Sequence, residues 1–456
     1  MLSLSPLFTD GAVLPKGLAF SVFGKSDENG TVVLTFPNGW SHTASFVSEK
    51  GVFSADFPAI DCYSEGGTLS VKTNSHSLTV SDIAIGEVIL AAGQSNMEFH
   101  VSQTIDFPPL VPSEKLRFFE EGHYMDAADE TQTVLFKEGS NRWFKADGES
   151  EKTFSAIGYL VGRLLSEKLD IPVGVINCNR GASRIESWVS KESYLASELD
   201  HRLGNKYPDF FNYHFNRDHW LYRNKFAEVK NYPFSAVLWY QGESNTGFDE
   251  AEHYGELLSL LFREWRRENK NENLPFYLVE LAPFDCVAAG WSDQPLGDWA
   301  VVREAERKAS QTEKNVYTVS LTESGEYNEV HPVHKRPVAE KLCNAILATK
   351  FGKDVEYTGP VFDDFSIKDG VLRISFTHGK GLRFCDFKGN KEEAKGCFFI
   401  GKDGKKTEAD VSLDGDSLLV TLSEDSDLFC MGYENAPTHN LYNEARYLAS
   451  PFRIKL

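Results

Sequence analysis

The chain has no run of about 20 apolar residues, the length a membrane-spanning helix needs. It has no basic stripe to offset a formal charge of −20, so nucleic acid and anionic membranes are repelled and neither is expected as a partner. None of its seven cysteines (Cys62, Cys178, Cys286, Cys343, Cys385, Cys397 and Cys430) lies in a Cys-x-x-Cys pair. That removes zinc knuckles and thioredoxin-like redox motifs. The odd count and wide spacing fit reduced thiols. The N-terminus, Met1-Leu2-Ser3-Leu4-Ser5-Pro6, has no basic segment followed by an apolar one, and we expect a cytoplasmic protein. Low-complexity tracts and repeats of solenoid or propeller period are absent too. What is there is an ordinary globular composition, 41% apolar and 13% aromatic. Its 456 residues allow roughly three domains at about 150 residues each.

Both ends read as all-β. Leu69 and Val71, then Leu78 and Val80, alternate with polar neighbours, and Asn29-Gly30 and Gly66-Gly67 mark turns. Near the other end Leu372, Ile374 and Phe376 alternate with Arg373 and Ser375, with turns at Asp403-Gly404 and Asp414-Gly415. The middle has another period. Ile157, Leu160, Val161, Leu164 and Leu165 fall on one helical face. Leu258, Leu261, Phe262 and Trp265 repeat that spacing, as do Leu342, Ala345 and Ile346. Between these helices lie short apolar runs at 88–92, 173–176, 236–239, 276–279 and 316–319. Five strands alternating with helices predict an α/β domain with a parallel sheet. We place domain limits at 1–82, 83–354 and 355–456. Two polar-aromatic insertions, near 101–150 and 189–230, are expected to wall a ligand cleft.

Ligands of open α/β sheets bind at the carboxyl ends of the strands. There the sequence collects Gly93-Gln94-Ser95-Asn96, Asn179-Arg180-Gly181-Ala182, Gln241-Gly242-Glu243-Ser244-Asn245 and Glu329-Val330-His331-Pro332. These are the parts acyl transfer requires: a nucleophile, a base, a residue to orient the base, and oxyanion donors. Ser95 is the candidate nucleophile, His331 the base and Glu329 its orienting carboxylate, with Glu243 in reserve. The amides of Ser95 and Gly181 and the side chain of Gln241 are candidate oxyanion donors. Met97 replaces the second glycine of a Gly-x-Ser-x-Gly elbow, so the α/β-hydrolase turn is excluded. His331 and His334 lack the i, i+4 spacing of a helical metal pair, and Pro332 and Pro337 interrupt the segment. We expect no metal and no cofactor.

The four blocks, in this chain order, resemble those of the SGNH hydrolases, and more closely the sialate O-acetylesterase-like carbohydrate esterases. Gly86-Glu87-Val88 leads into Gln94-Ser95-Asn96-Met97-Glu98, and Trp239-Tyr240-Gln241-Gly242-Glu243-Ser244-Asn245 matches the third block residue for residue. Further similarity runs through Phe154-Ser155-Ala156, Ile185-Glu186-Ser187-Trp188, Trp299 to Glu304, Asn440 to Asn443 and Ala449 to Arg453. The resemblance implies a central flavodoxin-like SGNH domain with a parallel five-stranded sheet, flanked by N- and C-terminal sandwich-like β domains. It implies a serine esterase removing acetyl groups from a small acetylated sugar, sialate first. Acetylated xylo- or manno-oligosaccharides are the alternative substrates. A non-catalytic carbohydrate-binding protein on a hydrolase scaffold is the alternative of another class. Gln94, Asn96, Arg180, Arg184, Glu243 and Asn245 are expected to line the substrate pocket.

Three positions depart from the family pattern. Glu329 stands where aspartate is usual, so the site is a triad with a longer carboxylate or a Ser–His dyad. Arg180-Gly181-Ala182 replaces Trp-Gly-Gly. Arg184 replaces a frequent proline. Arginine binds carboxylates bidentately, so Arg180 and Arg184 are candidates for the sialate carboxylate. An internal ion pair of Arg184 with Glu186 is the competing reading.

Overall fold

The computed structural model describes every residue except 106, 121–140, 200–212, 218, 296 and 424, with 248 and 249 in backbone only. The chain divides into two compact units. One comprises Met1–Trp239 with Leu260–Phe276, the other Tyr240–Ser259 with Tyr277–Leu456. The architecture is mixed α/β, with a large mixed sheet and further all-β sheets.

The first unit is organised by one strand, Ser77–Gly93. Its first half pairs antiparallel with Ser64–Thr73, which pairs in turn with Gly30–Thr35. Its second half runs parallel to Val173–Asn179, with Glu87 opposite Val173 and Gly93 opposite Asn179. The residues from Ile83 to Gly93 are buried, as expected of a strand covered on both faces. The limit expected at 82/83 therefore falls inside a continuous strand. A change of partner, and not a linker, separates the β-rich start from the α/β part. Leu2–Leu4, Phe20–Ser26 and Val52–Phe57 form a separate antiparallel sheet.

Part of the segment near 101–150, expected as an insertion that walls a ligand cleft, extends the sheet. Ser113–Glu120 runs parallel to Val173–Asn179, and Arg142–Ala146 pairs antiparallel beside it. Leu116, Phe118 and Phe119 are buried. Arg117 between them is buried as well, paired with Asp82 at 3.1 Å and donating to the carbonyl of Gly11 at 3.2 Å. The sheet order in this unit is Arg142–Ala146, Ser113–Glu120, Val173–Asn179, Ser77–Gly93, then Ala236–Tyr240, whose last residue opens the second unit. Residues 121–140 and 200–212 of the two expected insertions lie outside the described residues.

The expected helices form. Ala156–Leu169 is capped by Ser155, whose Oγ accepts from the Gly158 N–H at 3.0 Å. Tyr254–Glu268 buries Leu257, Leu258, Leu261, Phe262 and Trp265 on one face. Arg336–Phe351 opens on Pro337, tolerated in a first turn, and closes at Gly352 with φ 62°.

In the second unit Phe276–Val279 and Val316–Val319 are neighbouring strands, flanked in sequence by the helices Trp299–Thr312 and Arg336–Phe351. The C-terminal part holds two four-stranded sheets. One is Val361–Lys368, Val371–Thr377, Ser417–Thr421 and Val411–Asp414; the other is Lys406–Glu408, Cys397–Gly401, Ser426–Met431 and Phe452–Lys455. Leu372, Ile374, Leu418 and Val420 of the first share one core with Phe399, Phe429, Met431 and Phe452 of the second. Two sheets closing on one apolar layer make a sandwich.

Candidate active site

In the first unit, Ser95 stands where the buried strand stops. Gly93 has φ 138°, a conformation that favours glycine, and turns the chain sharply. One helical turn, Ser95–Glu98, follows, with the Met97 and Glu98 N–H groups donating to the Gln94 carbonyl at 2.9 Å. Ser95 is half-buried between buried Gln94 and Asn96. The turn thus presents the serine and keeps its two neighbours inside.

Gly181 lies against this serine. A Cβ built on Gly181 would be 3.5 Å from Ser95 Cβ and 3.8 Å from Ser95 Cα. The Gly181 N–H donates to Glu98 Oε2 at 2.6 Å. The expected oxyanion donor is therefore held by the carboxylate that ends the Ser95 turn. Ala182 sits at φ 56°, a left-handed conformation that alanine adopts at a cost of roughly 1 kcal/mol.

The second insertion packs on this loop. Phe215 lies under the Arg180 guanidinium at 4.6 Å, a cation–π distance. Asn216 accepts from the Arg184 N–H and donates to the Ala182 carbonyl, both at 2.9 Å. Arg184 itself is buried and ion-paired with buried Glu186 at 3.0 Å. Its charge is matched inside the protein, the competing reading of the sequence. Behind the loop, Trp188, Trp239 and Trp265 meet edge to face at 5.6–6.3 Å. The Trp188 indole donates to Ser183 Oγ at 3.0 Å, and the Trp265 indole to the Trp188 carbonyl at 2.9 Å. These three tryptophans brace the loop from behind.

In the second unit, Gln241 is fully buried and its amide is fixed at both ends. Nε2 donates to Asn245 Oδ1 at 2.8 Å, and Oε1 accepts from the Tyr254 hydroxyl at 2.9 Å. The same hydroxyl lies 2.7 Å from the Gln241 carbonyl oxygen. Asn245 is thus buried beside Gln241 and orients it. Gly242 has φ 151°, and a Cβ there would come within 2.9 Å of Val302 Cγ1 and 3.2 Å of Glu306 Oε1. Only glycine fits that turn. Burial holds the Glu306 carboxyl well above the usual carboxylate range, and it accepts from the Leu281 N–H at 3.0 Å.

His331 and Glu329 are neighbours of the same loop, both partly exposed. Glu329 Oε1 accepts from the His331 backbone N–H at 2.8 Å and lies 3.8 Å from ring Nδ1. The carboxylate is beside the imidazole but beyond hydrogen-bond length. Burial pushes the His331 imidazole below its ordinary value, the Lys335 charge pushes the same way, and Glu329 opposes them. Lys335 itself, which the sequence reading passed over, is buried at the start of Arg336–Phe351. Its ammonium lies 5.9 Å from the Tyr240 ring centre. Burial pulls it down to about 7 against the opposing pull of Glu243 and Glu329. A lysine four residues after a candidate base was the signal available. Glu243 is buried and faces Lys335 electrostatically. Among the described residues no group of three or more His, Cys, Asp or Glu is arranged to hold a metal ion, and no helix is long and apolar enough to cross a membrane.

The family described as carbohydrate esterase, sialic acid-specific acetylesterase, matches residues 85–351. The human sialate O-acetylesterase is 22% identical over 385 residues, covering 78% of this chain and 72% of that protein. The rat sialate O-acetylesterase is 23% identical over 401 residues, covering 76% and 73%. A crystal structure of a carbohydrate acetylesterase from Xanthomonas citri superposes with TM-score 0.81 at 27% identity, covering 99% of each chain.

Proposed function

The chain belongs to the sialic acid-specific acetylesterase family of carbohydrate esterases, and on that premise we propose that it removes O-acetyl groups from sialate through an acetyl-enzyme on Ser95. Membership makes it a carboxylic ester hydrolase that deacetylates carbohydrates. In our reading Ser95 Oγ attacks the acetyl carbonyl while His331 takes its proton. The tetrahedral oxyanion is met by the amides of Ser95 and Gly181 and by the side-chain amide of Gln241. His331 returns the proton to the departing sugar hydroxyl, then activates the water that releases acetate. The substrate carbonyl displaces Glu98 from the Gly181 N–H in this scheme. Glu329 supports His331 through the backbone, so the chemistry approaches a Ser–His dyad.

The observation that carries the reading is the half-buried Ser95 at the end of a buried strand, with Gly181 against it. One observation favours the second substrate class, neutral acetylated xylo- or manno-oligosaccharides. Arg184 is matched by Glu186, which leaves Arg180 as the arginine candidate for a sialate carboxylate. Acetate release from O-acetyl sialates and from acetylated oligosaccharides, measured in parallel, separates the two. Sialate specificity requires a kcat/KM at least about tenfold higher for the sialates, a difference of about 1.4 kcal/mol. The reverse order assigns the enzyme to neutral sugars.

A further inference from the structure

Lys335 is a buried charged residue that the hydrolytic scheme leaves without a role. Its side chain is 2% exposed, and a lysine is almost never buried so completely without partners. The groups that face it come from three places. Tyr240 ends the strand Ala236–Tyr240 and offers its ring face. Glu243 follows on the loop that carries Gln241, and Glu329 belongs to the loop that carries His331. Both carboxylates attract the ammonium, and His331 feels its positive charge.

We propose that Lys335 is a positioning residue of the esterase: its buried ammonium, set over the Tyr240 ring, ties the segment that carries His331 to the strand end that leads into Gln241. The proposal rests on the reading of His331 as the base. Lys335 touches neither substrate nor reacting atoms, so it acts through its neighbours. Its charge has a consequence that packing alone lacks. A positive charge beside an imidazole disfavours the imidazolium, so it keeps His331 able to accept a proton at lower pH. The lowered affinity of both His331 and Lys335 for protons agrees with this. Removing the ammonium also leaves Glu329 unopposed, which moves His331 in the same direction. The titratable groups facing His331 are Lys335 and Glu329. Those facing Lys335 are Glu243, Glu329, His331 and the Tyr240 phenol, itself held far above its usual range by burial and by Glu243.

The test is the pH profile of kcat/KM on p-nitrophenyl acetate for the wild type, Lys335→Met and Lys335→Arg, with Ser95→Ala as control. Lys335→Met is expected to move the acidic limb up by roughly one pH unit and to lower kcat about tenfold. Lys335→Arg keeps the charge and is expected to restore the limb. A folded Lys335→Met whose limb stays in place overturns the proposal while an inactive Ser95→Ala leaves the esterase reading intact. An active Ser95→Ala overturns the esterase reading instead. Should Lys335→Met fail to fold, the His331 ring carbon signal in NMR spectra of the wild type and of Lys335→Gln decides. It is assigned by its loss in His331→Gln. A His331 midpoint higher by roughly half a pH unit or more in Lys335→Gln supports the proposal, and an unchanged midpoint overturns it.

Discussion

Replacing Arg184 by alanine separates its two readings cleanly. Arg184 is 1% exposed and pairs with Glu186, 4% exposed, at 3.0 Å. Removing the guanidinium takes the ion-pair partner at 3.0 Å from a buried carboxylate. Breaking a buried pair from one side costs about 3–5 kcal/mol, because the remaining charge has lost both water and partner. For a unit of this size that corresponds to a fall in Tm of roughly 6–10 °C, at about 2 °C per kcal/mol. The loss belongs to the fold, so the KM for O-acetyl sialate should stay within about twofold of wild type below the new Tm. Removing both charges, as in Arg184→Leu with Glu186→Leu, should recover more than half of the lost Tm, since no charge is then stranded. Differential scanning calorimetry and initial-rate kinetics on the same preparations make the comparison. A Tm within about 2 °C of wild type, joined to a tenfold or larger rise in KM for sialates alone, would refute the internal-pair reasoning. Arg184 would then return to the substrate carboxylate.

Other outcomes follow from the second unit and from the serine turn. Asn245→Ala should lower kcat about tenfold or more with little change in KM, because Gln241 Nε2 loses the acceptor that orients it, whereas Gln241→Ala should cost on the order of 10²–10³ in kcat. Glu329→Ala should cost about tenfold in kcat and His331→Ala at least about 10³, since the carboxylate bonds the histidine backbone and stands 3.8 Å from its ring. Burial and Lys335 lower the His331 proton affinity, and a base works only when unprotonated. The acidic limb of kcat/KM should therefore lie below the ordinary histidine range, with activity full above it and lost as pH falls through it.

The elements that carry the chemistry were legible because their local signals are strong. Val88 to Ala92 is an apolar run ended by Gly93, and such a run buried on both faces needs no alternation to read as a strand. The three amphipathic helices were legible for the same reason of period. Ser113–Glu120 was not, because Arg117 interrupts its apolar residues and partners distant in sequence, Asp82 and the Gly11 carbonyl, explain how that charge is buried. The continuity of Ser77–Gly93 was hidden by its change of period. Polar alternation gives way to an unbroken apolar run where one partner strand replaces another.

At the site, the residue types stood out and their partnerships did not. Ser95 and Gly181 were named separately by their turns, and the structure puts them in contact distance. Gln241 was named, but the burial that makes Asn245 its support depends on Tyr254, thirteen residues on. Glu98 was visible as a motif letter, and its hold on the Gly181 N–H is a property of the folded turn. Beyond its place four residues after His331, Lys335 has no local sequence signal that sets it apart from other lysines. Its burial over the Tyr240 ring, within the electrostatic reach of Glu243 and Glu329, gives it a different meaning.

The central claim is that Ser95 carries the acetyl group. Quenching the enzyme during turnover of p-nitrophenyl acetate and mapping its peptides by mass spectrometry tests this directly. The account predicts an acetyl increment on the wild-type peptide containing Ser95, with neither adduct nor turnover in Ser95→Ala. Turnover by Ser95→Ala near the wild-type rate, or an acetyl group stably mapped to another residue on the reaction path, would contradict it.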